Sequence, residues 1–306
     1  MFVVLLFCLS KLLFECLTVL LHYHEHAGWY PTDFLLDGAL SFGAALVAAG
    51  IMSKVERRSF WDYGLPWRAL FRKHFWQGIL WGFVASLLML FLLRLLGAAS
   101  FAGLALHGQA LITFAFLWAA AFLLLGFAEE FAYRGYSQTT LTDGMGFWPA
   151  AVLLSAIFGA VHYFFKPMEN WMDGLSVGLF GLFWCFTLRR TGSLWFAIGF
   201  HAMSDYTDMV LLAQPNTGNN GQSLTGHLLN VYTTGLSGSQ VAHAELRQVL
   251  WNFSFCFFCL SLLPDSIRRW KPKRRKKVGS YSALTLHEFF DTSKCPCHRI
   301  LSVIVI

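Results

Sequence analysis

The sequence predicts an all-α, polytopic membrane protein with about eight transmembrane helices around a polar chamber inside the membrane. Hydrophobic residues make up 56% of the 306 residues and charged residues only 13%, whereas soluble domains carry about 25% charged residues. Apolar runs long enough to cross a bilayer recur along the chain. Ionisable residues interrupt several of these runs, and inside a membrane such residues face the interior of a helix bundle. The composition excludes disordered, collagen-like, coiled-coil and disulfide-rich secreted proteins.

Spanning helices need about 20 mostly apolar residues. We predict them near residues 2–21, 35–52, 76–97, 109–128, 148–164, 174–188, 194–213 and 247–264. The first lacks the basic start and the small-residue cleavage site of a signal peptide, so we expect a retained helix. The predicted organisation is N-terminal transmembrane helices in 1–105, motif-bearing helices in 106–215, a polar loop with the last helix and a basic segment in 216–278, and a tail of unassigned role in 279–306.

Basic residues indicate the orientation in the membrane. Eight of the 23 Lys and Arg residues lie in 268–277, directly after the last predicted helix, and loop 53–75 holds another six. Loops 22–34 and 98–108 contain none. Cytoplasmic loops of membrane proteins carry the excess of Lys and Arg, so we predict cytoplasmic N- and C-termini and a location in the cell membrane. A basic run beside an apolar helix is typical of a juxtamembrane anchor, which favours lipid over nucleic acid as its partner.

The fourth predicted span ends in two adjacent glutamates, Glu129 and Glu130. Arg134 follows Glu130 by four residues, so the two share one face of a helix and can pair. Glu129 points about 100° away from Glu130. One carboxylate is then held by the arginine while the other stays available for chemistry. A plain ion-pair cluster at a helix end is the alternative interpretation.

Histidines on two other apolar segments change the balance between these interpretations. His162 follows Phe158 by four residues in the fifth span, and His201 precedes Asp205 by four residues in the seventh. Brought together with Glu129, these groups would form a polar chamber suited to peptide hydrolysis: a glutamate can serve as general base, and histidines can orient water, bind a metal or donate to an oxyanion. Glu129, His162, His201 and Asp205 are thus candidate zinc ligands, zinc being the cofactor that they suggest. The H-E-x-x-H signature of zincins is absent from the sequence.

Three short motifs in these spans resemble a known family. Residues 129–134 read E-E-F-A-Y-R and match E-E-x-x-x-R, and residues 158–162 read F-G-A-V-H and match F-x-x-x-H. Residues 201–205 read H-A-M-S-D and match H-x-x-x-N with Asp at the last place. In order and spacing they resemble the CPBP family of intramembrane proteases, which includes CaaX-prenyl endopeptidases and bacteriocin-processing or Abi proteins. The resemblance covers about residues 110–210.

The resemblance implies a glutamate-dependent intramembrane endopeptidase. Glu129 would activate the attacking water, Glu130 would support it, and Arg134 would hold the glutamate helix in place. His162 would position the water, and Phe158 would be a structural residue beside it. Counted from the predicted cytoplasmic ends of the helices, however, His162 lies nearer the outer end of its span than Glu129 does.

By the same resemblance, His201 and Asp205 would stabilise the oxyanion. Asparagine can donate a hydrogen bond to an oxyanion, whereas an ionised aspartate cannot. Asp205 must therefore be protonated, serve as a metal ligand, or orient His201. The sequence leaves these three roles open.

The leading prediction is a protease that hydrolyses a peptide bond in a membrane-associated peptide or protein with a glutamate-activated water, with or without a metal. A non-catalytic immunity or scaffold protein of the same fold is one alternative. A proton- or metal-coupled transporter is another, because buried carboxylates and histidines also form relays. Internal repeats typical of many transporters are not evident in the sequence.

Overall fold

The computed structural model describes residues 1–23, 26, 28–95, 99–165, 171–211 and 224–233. The α-helices in these residues are α1 Phe2–Leu21, α2 Pro31–Val55, α3 Lys73–Leu95, α4 Gly108–Glu130, α5 Gln138–Met145, α6 Phe147–Phe165, α7 Trp171–Thr191 and α8 Trp195–Tyr206. Short 3-10 helices, Phe60–Tyr63 and Trp67–Ala69, lie between α2 and α3. Two π-helical segments, Phe131–Ser137 and Thr207–Leu211, directly follow α4 and α8.

Six helical segments of the described chain are long and apolar enough to cross a bilayer, which confirms the predicted multi-helical membrane fold. One of them runs from Gly108 to Met145 and joins α4, the first π segment and α5. The predicted span 194–213 corresponds to α8, which has 12 residues, and its π-helical continuation. The predicted span 247–264 and the tail 279–306 lie outside the described residues, and the predicted division of the chain into four regions stays a prediction.

The second helix begins earlier than its apolar run predicts. Pro31 occupies its first turn, where proline supplies a suitable φ and the missing N–H costs no hydrogen bond. Asp33 in the same turn accepts hydrogen bonds from the Tyr23 hydroxyl at 2.7 Å and the His26 backbone N–H at 3.0 Å. With these contacts α2 begins four residues earlier than predicted and includes residues 31–34.

Glycines allow the helices that carry the candidate site to pack with their backbones in contact. A Cβ on Gly78 of α3 would collide with the carbonyl oxygen of Phe196 in α8, and one on Gly199 of α8 would collide with that of Phe75. Small residues permit this close packing in membranes, where van der Waals contact rather than hydrophobic exclusion drives helix association. The position of α8, which bears His201, is therefore fixed against α3.

A two-stranded antiparallel sheet adds to the predicted all-α fold. β1, Ala99–Leu104, pairs with β2, Leu229–Thr233, with Ala99 opposite Thr233 and Phe101 opposite Val231. Both segments fall in regions that the sequence predicted as loops. The strands are far apart in sequence, and their pairing depends on the helices that bring them together. Local hydropathy does not carry that information.

Candidate active site

Glu129 and Glu130 lie where α4 passes into the π-helical segment Phe131–Ser137. Both side chains are buried, with 5% of Glu129 and 0% of Glu130 exposed. π-helical turns are uncommon and are frequently found at functional sites. The helix therefore changes its winding directly after the two residues that the sequence singles out.

Glu130 Oε1 faces two partners from different helices. Arg134 donates its Nη1–H to this oxygen at 3.1 Å, the pairing that their spacing predicts, and His201 Nδ1 lies 3.0 Å from it. Arg134 is also fully buried. A buried charge is stable when it is paired and hydrogen-bonded, so these contacts fix Glu130 between α4 and α8.

The second ring nitrogen of His201 faces two more carboxylates. Its Nε2 lies 3.7 Å from Glu129 Oε2 and 3.3 Å from Asp205 Oδ2. The Asp205 side chain is 26% exposed and belongs to the same helix as His201, one turn later. This contact corresponds to the third of the roles that the sequence left open for Asp205, the orientation of His201.

Aromatic rings enclose the charged cluster. Trp184 of α7 stacks on the His201 ring with centroids 4.3 Å apart and planes 11° from parallel. The Arg134 guanidinium lies 4.2 Å from the Phe158 ring centroid and 5.0 Å from that of Trp184. Such contacts stabilise a cation that is removed from water. Gly181 leaves room for this cation, because a Cβ there would approach Arg134 Nη2 to 2.5 Å.

Sequence reasoning missed Trp184 and Gly181. Both lie in α7, which was predicted only as a spanning helix. A tryptophan in an apolar run can equally be a core residue or an interfacial anchor, so only its position in the fold distinguishes it.

His162 joins the cluster through Phe158. The Phe158 ring lies 4.6 Å from the His162 ring, and His162 Nδ1 lies 2.9 Å from the Phe158 carbonyl oxygen. His162 is 5% exposed, like Glu129 and His201.

The difference in depth predicted for His162 and the glutamates was wrong. The glutamate helix does not end near Arg134 but continues through α5 to Met145, and α6 begins at Phe147. The chain turns at Gly146, between α5 and α6, and Glu130 precedes this turn by as many residues as His162 follows it. Because the two helical segments run in opposite directions from the turn, both side chains reach a similar level.

A cleft beside Glu129 lies between α1, α2 and α4 with its π-helical continuation. Its polar lining consists of Ser10, Asp37, Ser41, Glu129 and Tyr133, and the other lining residues are apolar or glycine. Glu129 thus borders both the charged cluster and this cleft, whereas Glu130 does not line the cleft.

Comparison with protein families assigns this part of the chain. The model of the Rce1-like type II CAAX prenyl endopeptidases matches residues 110–207. Those residues form an Rce1-like domain. No curated protein and no solved structure matches the chain.

The Rce1-like domain contains every residue that the sequence predicted for the site, from Glu129 to Asp205. The match confirms the resemblance to the CAAX protease family. It supports an intramembrane endopeptidase in general terms. Together with the apolar helices, it identifies a multi-pass integral membrane protein.

The zinc site predicted from His162, His201, Glu129 and Asp205 finds no support in the Rce1-like domain. Across the part of the chain that the structure describes, no group of three or more His, Cys, Asp or Glu side chains is arranged to hold a metal ion. The two ring nitrogens of His201 face carboxylate oxygens instead. The donor set in this arrangement therefore does not fit a metal.

Proposed function

We propose that the protein is an intramembrane endopeptidase in which Glu129 is the general base. The observation that carries this proposal is the different placement of the two glutamates. Glu130 is fully buried and bound to Arg134 and His201 through one oxygen. Glu129 lines the cleft, which has room for a water. The glutamate that is fixed in place supports the site, and the one that borders the cleft performs the chemistry.

The reaction needs one water and one peptide bond. Glu129 takes a proton from the water while the water oxygen forms a bond to the carbonyl carbon of the substrate. The tetrahedral intermediate then collapses, the C–N bond breaks, and the proton on Glu129 passes to the leaving amine. Proton transfer of this kind typically contributes about 10²–10⁴-fold to a rate.

The other site residues position Glu129 and the water. Arg134 and Glu130 hold His201 through its Nδ1, and Asp205 faces its Nε2. We assign Asp205 to the orientation of His201 rather than to oxyanion binding, because an ionised carboxylate accepts hydrogen bonds and donates none. His162 is proposed to position the attacking water, as the family resemblance implies.

The substrate class that we propose is a membrane-associated peptide or protein. The name of the matching family specifies CAAX prenyl endopeptidases, so prenylated C-terminal peptides belong in the first set of substrates to be tested. The bilayer itself is the second partner. We propose that loop 53–75, the N-terminus and the basic segment 268–277 lie on the cytoplasmic side, because cytoplasmic loops carry the excess of Lys and Arg.

The test is cleavage of lipidated peptides by the purified full-length protein in proteoliposomes. The panel contains prenylated CAAX-type peptides and peptides that carry other lipid chains, and mass spectrometry of the products identifies the cleaved bond. Wild-type protein should cleave at least one peptide, and Glu129→Gln should lower the rate by roughly 10²-fold or more.

Glu15→Gln is the matched control, because Glu15 is also a glutamate in an apolar helix but is exposed. It should cleave like the wild type. Equal activity of wild type and Glu129→Gln would refute the assignment of the base. Proton flux into the same liposomes, lost in Glu129→Gln without any peptidase activity, would instead indicate a transporter. The comparisons favour neither the transporter nor the non-catalytic alternative.

A further inference from the structure

We propose that the cleft beside Glu129 binds a positively charged segment of the peptide substrate and that Asp37 recognises the cation. The inference rests on the proposed function, because it places the substrate next to the proposed general base. It adds a determinant of substrate charge outside the matched Rce1-like domain, since Asp37 and Ser10 precede residue 110.

Two helices each direct a polar stripe toward the cleft, and a third contributes a single serine. α2 contributes Asp37 and, one turn later, Ser41, while α4 and its continuation contribute Glu129 and Tyr133 at the same spacing. α1 contributes Ser10. Residues four apart share one face of a helix, so these stripes line one continuous surface.

Close packing of α2 on α4 brings Asp37 near the level of the glutamate pair. A Cβ on Gly38 would lie 3.0 Å from Leu124 Cβ and 3.2 Å from Leu125 N. Gly38 directly follows Asp37, and Leu125 lies one helical turn before Glu129. The two helices run in the same direction, because Phe34 packs on Trp118 and Phe42 packs on Phe127. Asp37 therefore lies about one and a half turns, or roughly 8 Å, before Glu129 along the helix axes.

The charge of the cleft selects the ligand. Two carboxylates, Asp37 and Glu129, line it, and its described lining contains no Lys, Arg or His. Carboxylates within a membrane span are costly and face a cavity or a partner. A substrate ammonium or guanidinium group would be attracted by both carboxylates, while an acidic side chain would be repelled by both.

Ser10 supplies an independent indication that a ligand binds there. Its hydroxyl is buried, with the residue 3% exposed, and has no hydrogen-bond partner among the described residues. A serine or threonine within a helix commonly donates to the carbonyl one turn earlier. Thr18 of the same helix does so, to Phe14 O at 2.8 Å. Ser10 therefore presents a buried donor and acceptor to the cleft, which suits the backbone of a bound peptide.

The predicted ligand is a peptide with a Lys or Arg side chain, or a free amino terminus, within a few residues of the cleaved bond. The peptide backbone would bond to Ser10 and the cation would pair with Asp37. The bond to be cleaved would then lie next to Glu129.

The experiment uses lipidated, internally quenched peptides that differ at a single residue, which is Lys, Gln or Glu. One such set is made for each position within four residues of the cleaved bond. Full-length wild type in proteoliposomes should cleave the best Lys peptide with a kcat/KM at least about tenfold above its Glu counterpart. Asp37→Asn should reduce this ratio to within about threefold, and Asp37→Glu, which keeps the charge, should retain most of it.

Asp33→Asn is the matched control, because Asp33 lies one turn earlier on α2, bonds to Tyr23 and His26 and does not line the cleft. It should leave the ratio unchanged. A wild-type protein that cleaves Lys and Glu peptides equally, or an unchanged ratio in Asp37→Asn, would overturn the inference. The wild-type preference alone tests it if a variant does not fold.

Binding of the same peptides, measured by fluorescence anisotropy, separates this inference from the proposed function. A binding preference for Lys peptides that depends on Asp37, without any cleavage, would refute the proposed function and support the cation-binding site. Cleavage that depends on Glu129 without a charge preference would do the reverse.

Discussion

Replacing Arg134 with methionine is expected to lower the free energy of unfolding by about 4 kcal/mol. Arg134 and Glu130 are both 0% exposed, and the Arg134 Nη1 to Glu130 Oε1 distance is 3.1 Å. Removal of one partner from a buried ion pair costs about 3–5 kcal/mol, because the other charge is left uncompensated. Loss of the cation–π contact with Phe158, at 4.2 Å, adds about 0.5–2 kcal/mol, partly offset by the apolar packing of methionine.

The assay is reversible unfolding of the full-length protein in mixed detergent micelles, followed by circular dichroism. A double-mutant cycle combines Arg134→Met with Glu130→Gln. Since the double variant contains neither charge, it should be less destabilised than the sum of the single variants, by about 1–3 kcal/mol. Arg94→Met is the control, because Arg94 is an exposed arginine in the last turn of α3. It should change stability by less than about 0.5 kcal/mol.

The reasoning would be refuted if Arg134→Met cost less than about 1 kcal/mol, a value typical of an exposed pair. Strict additivity in the cycle would refute it as well, since two groups in direct contact at a buried site must be coupled. Either result would mean that water or another group reaches Glu130, and that the fixed position assigned to this glutamate is wrong.

Three further predictions concern other parts of the fold. Asp205→Ala should lower kcat for peptide cleavage by up to about 100-fold with little change in KM, because His201 is misplaced. Asp205→Asn should retain most of the activity, because its amide oxygen can still accept a hydrogen bond from His201 Nε2. An equal loss of activity in both variants would argue against a positioning role for Asp205. Gly78→Ala should lower the unfolding free energy by about 1–3 kcal/mol, because the added methyl group meets the backbone of α8. Gly43→Ala is the control in the same unfolding assay and should not destabilise the protein, because no atom lies near its added methyl group. Burial, followed by the charge of Glu56, raises the pKa of Tyr63. The contribution of Tyr63 to the free energy of unfolding is therefore complete below the pKa of an exposed tyrosine, about 10, and is lost as the pH rises toward the raised pKa of the folded state. Tyr63→Phe should weaken this alkaline dependence of the unfolding free energy.

Helix positions and the pairing within the motifs were predictable from the sequence, because both depend on local spacing. The first helix forms over Phe2–Leu21 as predicted, and Arg134 reaches Glu130 because four residues make about one helical turn. The predicted zinc site finds no support for a related reason. Residue types suggest ligands, but a metal also needs their atoms to converge, and spacing along separate helices does not specify convergence.

Contacts between distant segments outside the three motifs were not predictable. The strand pairing of Ala99–Leu104 with Leu229–Thr233, the stacking of Trp184 on His201, and the cleft formed by α1, α2 and α4 all depend on the relative placement of helices. In a membrane that placement follows from small residues and shape rather than from an apolar stripe. The π-helical turn after Glu130 was missed because an apolar run carries no sign of whether it winds with α or π spacing.

The geometry of an imidazole explains how the two motifs act together. Adjacent residues on a helix diverge by about 100°, so Glu129 and Glu130 cannot both face the same atom. The two nitrogens of His201 also point in different directions, and each faces one of these glutamates. Arg134 fixes Glu130, Glu130 fixes Nδ1, and the ring then directs Nε2 toward Glu129 and Asp205. A residue at position 205 that accepts a hydrogen bond completes this series of contacts, and aspartate accepts as well as asparagine does. Aspartate at this position is therefore compatible with the proposed protease, in which residue 205 holds the histidine.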